Sequence, residues 1–134
     1  MHQIDLFVKY PIAVQKEVLS VLLETAKDTA FAEEHDFSSI NSYDDFREKV
    51  PVRTYEETFP YIKKLRNGAK SVLWPGKTKW FAKSSGTTNA KSKFIPVSKE
   101  SLYESHFKAG KDMLALYCTN FPQKSIFNGK GLML

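Results

Sequence analysis

Residues 80–97 read WFAKSSGTTNAKSKFIPV, and this stretch decides the fold. Its two ends are short apolar runs, 80–82 and 94–97, which predict two strands joined by a polar loop. Serine, threonine, asparagine and glycine are common in ordinary turns, so a plain hairpin loop is one interpretation. The other is a polyphosphate-binding loop, because a glycine lets backbone N–H groups approach an anion and hydroxyls and lysine supply further donors. The donors of such a loop would be Ser84, Ser85, Gly86, Thr87, Thr88 and Lys93.

The loop is not a Walker loop. That motif needs a second glycine followed by Lys-Ser/Thr at the start of a helix, whereas a strand-like run follows here. No helix dipole is therefore expected to face the anion, and the hydroxyls, the backbone amides and the lysine would have to bind it.

The charge pattern around the loop favours an anionic ligand. The chain has a net charge of +5, yet residues 58–99 contain ten Lys and Arg and no Asp or Glu. A run of like charge is usually just a solvated surface. Here, however, the acid-free stretch is centred on a Ser/Thr/Gly loop, and its positive potential would raise the local concentration of an anionic ligand.

Three stretches together resemble a known family. They are FAKSSGTT at 81–88 with Lys93, VPVRTYEE at 50–57 with PYI at 60–62, and NG at 67–68 with LWPG at 73–76. Over nearly the whole chain, in order, this is similar to the auxin-responsive promoter family of acyl-acid amido synthetases. These are adenylate-forming enzymes related to firefly luciferase and acyl-CoA synthetases. Ala90 departs from the family pattern, which usually has a second glycine there.

The resemblance implies a fold and an activity. The expected fold is α/β, with 1–134 as the helix-rich N-terminal part of a larger adenylate-forming domain and short strands flanking the phosphate loop. The expected enzyme is an ATP-dependent ligase that adenylates a small carboxylic acid and joins it to an amine such as an amino acid, with Mg²⁺ accompanying ATP. Ser84, Ser85, Gly86, Thr87, Thr88 and Lys93 would bind the ATP phosphates. The adenine, metal and acyl pockets are expected after residue 134, so we expect the chain alone to be inactive.

Other function classes receive less support from the sequence. A stand-alone basic module that binds nucleic acid or an acidic protein would explain the lysines, but no stretch matches a nucleic-acid-binding module. Trp74 and Trp80 are expected to pack in the core or anchor the loop rather than stack bases. No metal site is predicted, because the acids beside His35 are adjacent on one helix and cannot easily converge on one ion.

The bulk composition indicates one foldable, non-membrane domain. The chain is 42% hydrophobic with ten phenylalanines, which is enough for a core. Cys118 is the only cysteine, so an internal disulfide is excluded and a cytoplasmic location is expected. No apolar run approaches the length of a membrane span. The apolar end, with Leu132 and Leu134, predicts self-association of the fragment by strand-edge pairing.

Hydrophobic spacing and capping residues predict the helices. The apolar period and Pro11 predict a helix to about residue 29, and Ser42 and Thr54 are placed to cap helices at 43–49 and 55–65. A brief strand is expected at 71–74. A final helix is expected at 99–118, in which Gly110 suggests close packing and His106 is expected in the core.

Overall fold

The computed structural model describes residues 3–84 and 92–124, and the chain divides into two compact units, Met1–Pro96 and Val97–Leu134. The predicted helix-rich α/β class is confirmed, with one two-stranded antiparallel sheet in the described part of the chain. The elements, in chain order, are α1 (Gln3–Lys9), α2 (Pro11–Ala26), α3 (Ala30–Glu34), a 3-10 turn (Phe37–Ser39), α4 (Tyr43–Lys49), α5 (Tyr55–Arg66), β1 (Trp80–Lys83), β2 (Phe94–Val97), a π-helical segment (Ser101–Phe107) and α6 (Lys108–Asn120).

Helix α5 carries the core of the first unit. Its Tyr61 and Leu65 are buried together with Val72, and Phe31 and Phe81 pack against this cluster. Burial of large apolar side chains is the main favourable term in folding. Because Phe81 lies in β1, this packing also ties the first strand of the sheet to α5.

The two ends of α5 form as the sequence predicts. At the start, Thr54 and Glu57 make a reciprocal capping box. At the end, the N–H of Ala69 donates to the Lys64 carbonyl at 3.0 Å and that of Gly68 to the Leu65 carbonyl at 3.0 Å. This pair of bonds is a Schellman motif, which requires a left-handed residue at the position that Gly68 occupies with φ +91°.

Replacing Gly68 with alanine is expected to lower the free energy of unfolding by about 1 kcal/mol. The added Cβ would meet no atom within 4 Å, so the cost comes from the backbone conformation alone. Urea denaturation of the two proteins measures it. Gly68→Asn is the informative second variant, since asparagine tolerates this conformation and should cost less. An equal loss for Asn and Ala would contradict the conformational explanation.

The predicted strand at 71–74 is wrong. Residues 71–76 form a series of bends closed by an antiparallel bridge between Lys70 and Lys77. Ser71 adopts a positive φ of 51°, and its N–H donates to the Gly76 carbonyl at 2.8 Å, so the backbone folds back instead of extending. The carbonyls of Ser71 and Val72 each accept a bond of 2.9 Å from the first N–H groups of α3. The bend therefore satisfies donors that a helix start leaves open.

The second unit is helical over the range that the sequence predicts, although Ser101–Phe107 is π-helical. Two details were wrong. His106 is exposed rather than in a core, and a Cβ at Gly110 would meet no atom within 4 Å of the described structure, so close packing does not explain this glycine.

Candidate phosphate-loop site

The polar loop is closed at its base by a reciprocal pair of hydrogen bonds between Ser84 and Lys93. The Ser84 N–H donates to the Lys93 carbonyl at 2.9 Å, and the Lys93 N–H donates to Ser84 Oγ at 3.0 Å. The Ser84 side chain thereby occupies the position of a strand carbonyl and extends the pairing of β1 and β2 by one residue. The first and the last of the predicted phosphate-binding residues are thus neighbours.

The other predicted loop residues, Ser85, Gly86, Thr87 and Thr88, lie outside the described residues. Their assignment to phosphate stays a prediction. So does the expected self-association, because Leu132 and Leu134 also lie outside the described part of the chain.

Tyr55, the first residue of α5, contacts the chain directly after the loop. Its Oη accepts a hydrogen bond of 2.9 Å from the Phe94 N–H and lies 3.4 Å from the Phe94 carbonyl oxygen. The Lys93 ammonium nitrogen lies 5.0 Å from the centroid of the Tyr55 ring, which is within the range of a cation–π contact. One tyrosine therefore contacts both the backbone of β2 and the side chain of the loop lysine.

A second cation lies on the neighbouring aromatic ring. Arg66, the last residue of α5, places its guanidinium carbon 4.1 Å from the centroid of the Phe94 ring. Together with Tyr55, Phe59, Ser92 and Lys93, these residues line an open groove of about 680 Å³, which Glu56 also borders. The groove combines two cations with three aromatic rings beside the base of the loop, which suits an anionic ligand with a planar group.

Sequence reasoning missed a second polar cluster in the first unit. Tyr61 donates its hydroxyl hydrogen to Glu34 Oε1 at 2.6 Å and accepts a bond from Arg53 Nη1 at 2.8 Å. Arg53 Nη2 lies 2.9 Å from Nε2 of His35, whose Nδ1 is 2.8 Å from the Phe31 carbonyl. Since a carbonyl only accepts, the His35 proton is on Nδ1 and Nε2 accepts from Arg53.

This cluster holds three separate segments together. Glu34 and His35 end α3, Arg53 precedes α5 and Tyr61 lies within it, and the sequence separations of 18 to 27 residues explain why no local pattern revealed the cluster. The sequence predicts that His35 is a surface or a helix-end residue. It is the second of these, because it caps the end of α3 and is only 6% exposed.

The cluster shifts the pKa values of its members in opposite directions. The hydrogen bond from Tyr61 lowers the pKa of the Glu34 carboxyl below its ordinary 4.5, aided by Arg53 and opposed by burial. Burial, with the bond to Glu34, raises the pKa of the Tyr61 phenol. These shifts favour an ionised carboxylate beside a neutral phenol, which is a structural arrangement rather than an acid–base pair poised near neutral pH.

The positions of the two tryptophans can be compared with the expectation that both pack in the core or anchor the loop. Trp80 is 41% exposed and Trp74 is half-buried, so neither tryptophan is a fully buried core residue.

Within residues 3–84 and 92–124, no three His, Cys, Asp or Glu side chains gather in a group that could hold a metal ion. Over the same residues, no helix has the length and apolar character needed to cross a bilayer.

Comparison with known proteins identifies the relatives of this chain. A jasmonoyl–L-amino acid synthetase of Nicotiana attenuata is 32% identical over 120 residues, which are 89% of this chain and 20% of the relative. An indole-3-acetic acid-amido synthetase of Arabidopsis thaliana is 31% identical over 125 residues, which are 89% of this chain and 19% of the relative. The chain thus spans about a fifth of the length of the curated relatives it matches.

A family model supports the same relationship. The model of the GH3 family N-terminal domain matches residues 1–134, and both relatives are named as synthetases, one a jasmonoyl–L-amino acid synthetase and the other an indole-3-acetic acid-amido synthetase. This agrees with the resemblance carried by the phosphate loop and by the motifs at 50–57 and 67–76. The chain belongs to the GH3 family of acyl-acid amido synthetases, within its N-terminal domain.

Proposed function

We propose that this chain is the N-terminal, phosphate-binding part of an ATP-dependent ligase that joins a small carboxylic acid to an amino acid. The observation that carries the proposal is the closure of the Ser/Thr/Gly loop by Ser84 and Lys93, with the Lys93 ammonium beside the groove. Family membership supports the ligase class, and the absence of acidic residues from 58–99 supports an anionic ligand.

The proposed reaction has two steps. A carboxylate oxygen of the acid attacks the α-phosphorus of ATP, and pyrophosphate leaves with the electron pair of the broken P–O bond. The amine nitrogen of the amino acid then attacks the acyl carbon of the adenylate. AMP leaves, the nitrogen loses a proton, and an amide remains. Activation is needed because a free carboxylate offers no good leaving group to an amine.

Within this scheme the chain would hold the β- and γ-phosphates. Ser84, Ser85, Thr87 and Thr88 would donate hydroxyl hydrogens, Gly86 would allow close backbone approach, and Lys93 would balance the charge on the leaving pyrophosphate. Donors that are already in place when charge develops are the main catalytic device in phosphoryl transfer. The donor set fits a phosphate. The acidic residue that would help to hold Mg²⁺ with the ATP is expected after residue 134, since residues 58–99 contain no Asp or Glu.

We further propose a cytoplasmic location, which the single cysteine supports because the chain cannot form an internal disulfide.

The experiment is ATP–pyrophosphate exchange, measured with a panel of carboxylic acids on the full-length protein that carries this chain. Lys93→Ala is expected to reduce exchange about tenfold or more, since it removes a charge from a preorganised phosphate site. Lys63→Ala is the matched control, because Lys63 is an exposed lysine of the same acid-free stretch that does not line the groove. The 134-residue chain alone is expected to release no pyrophosphate.

Two results would contradict the proposal. One is an equal effect of the Lys93 and Lys63 substitutions on exchange. That result would mean that the lysines act only through the overall positive charge of the stretch and not at a specific phosphate site. The other is strong, salt-dependent RNA or DNA binding with no response to ATP, which would favour the basic binding module instead.

A further inference from the structure

We propose that Tyr55 is a positioning residue for Lys93: it fixes the backbone directly after Lys93 and orients the Lys93 ammonium toward the groove. This inference rests on the proposed function, and it assigns a role to a residue outside the loop itself.

Tyr55 is well placed for this role because its own position is fixed. It is the first residue of α5, directly after the capping residue Thr54. The Thr54 N–H donates to Glu57 Oε2 at 2.7 Å and the Glu57 N–H donates to Thr54 Oγ1 at 3.3 Å, which holds the first turn of the helix. The Tyr55 side chain is half-buried, so it is restrained by packing as well.

The hydroxyl of Tyr55 acts on the backbone of the second strand. Among residues 3–84 and 92–124, β2 pairs with β1 and with no other strand. The Lys93 backbone bonds to Ser84 through both its N–H and its carbonyl, whereas the N–H of the next residue, Phe94, donates to Tyr55 Oη at 2.9 Å. Alternate residues of a strand direct their N–H groups to opposite sides, so the Tyr55 hydroxyl accepts a hydrogen bond on the edge of β2 that faces away from β1. Ser84 and Tyr55 therefore hold the chain at Lys93 from both sides.

The ring of Tyr55 acts on the side chain of Lys93. The ammonium lies 5.0 Å from the ring centroid, although the lysine itself is exposed. A free lysine side chain samples many rotamers, and ordering it for each phosphate contact costs conformational entropy. A cation–π contact restricts this freedom but leaves the three N–H donors available for phosphate oxygens.

Two variants separate the two contributions. Tyr55→Phe removes the hydroxyl but keeps the ring, and Tyr55→Leu removes both. In ATP–pyrophosphate exchange by the full-length protein, we expect the KM for ATP to rise about threefold for Phe and about tenfold for Leu, with kcat changed less. Tyr43→Phe is the control, because Tyr43 is likewise the first residue of a capped helix but is 64% exposed. It should leave KM unchanged.

A double-mutant cycle distinguishes positioning from a merely structural role. If Tyr55 acts through Lys93, Tyr55→Leu should raise KM little further once Lys93 is alanine, because the side chain to be oriented is gone. Additive effects of the two substitutions would overturn the inference. If Lys93→Ala alone has no effect on exchange, the proposed phosphate site fails instead, so the two failures can be told apart.

A spectroscopic measurement on the 134-residue chain tests the geometry without activity. A lysine beside an aromatic face has its side-chain methylene protons shifted upfield by the ring current. The shift of the Lys93 protons in NMR spectra should persist in Tyr55→Phe and disappear in Tyr55→Leu. An unshifted Lys93 in the parent chain would overturn the inference.

Discussion

Replacing Leu65 with alanine is expected to lower the free energy of unfolding of the first unit by about 2 to 5 kcal/mol. Leu65 is 3% exposed and forms the core cluster together with Tyr61 and Val72. The substitution removes the transfer free energy of the buried methyl groups and leaves a cavity, because the surrounding helix and bend can relax only in part. Urea denaturation followed by tryptophan fluorescence measures it, since Trp74 and Trp80 both lie within Met1–Pro96.

The control for this prediction is Leu22→Ala on α2. Leu22 is 47% exposed, so the same chemical change removes less buried surface and should cost less than about 1 kcal/mol. Similar losses at Leu65 and Leu22 would mean that the cluster around α5 is not the core of this unit.

Replacing Tyr61 with phenylalanine is expected to lower the free energy of unfolding by about 1 to 2 kcal/mol. The change keeps the ring in the core but removes the hydroxyl that bonds Glu34 at 2.6 Å and Arg53 at 2.8 Å. Both partners can regain water in part, which keeps the cost below that of a fully buried charged pair. Tyr10→Phe, at a tyrosine that is 54% exposed, should change stability by less than about 0.5 kcal/mol.

The same variant should change the acid dependence of stability. The folded-state pKa of Glu34 lies below its ordinary 4.5, chiefly because Tyr61 donates to it. A lowered pKa stabilises the fold above the ordinary value, and this stabilisation is lost as the pH falls through the folded value. Unfolding free energies measured between about pH 5 and pH 2 should therefore fall less steeply in Tyr61→Phe than in the parent.

Part of the acid dependence should survive that substitution. The hydrogen bonds from Lys49, Ser39 and Ser38 hold the pKa of the Asp36 carboxyl well below its usual range, and none of them involves Tyr61. If the unfolding free energies of the parent and of Tyr61→Phe fall equally steeply with pH, Glu34 does not contribute to the pH dependence.

The elements that the sequence predicted well are those with local causes. The start of α4 at Tyr43, the capping box of α5 and the end of α5 at Gly68 each depend on hydrogen bonds between residues three to five positions apart. The failure at 71–74 has a non-local cause. Its apolar run satisfies strand propensity, but Val72 is buried against α5 and the carbonyls cap α3, which fixes a bend.

The candidate site also has features with local causes and features with non-local causes. By itself, the sequence determined the Ser/Thr/Gly composition of the loop, its acid-free surroundings, the two strands that flank it and the family to which the chain belongs. Tertiary structure alone decided that Tyr55 contacts Phe94, 39 positions further along the chain, and the neighbouring Lys93. It also decided that Glu34, Arg53 and Tyr61 form one cluster. The physical reason is that composition and helix capping depend only on residues that are close together in the sequence. A contact between distant side chains forms only when packing of the core brings their elements together.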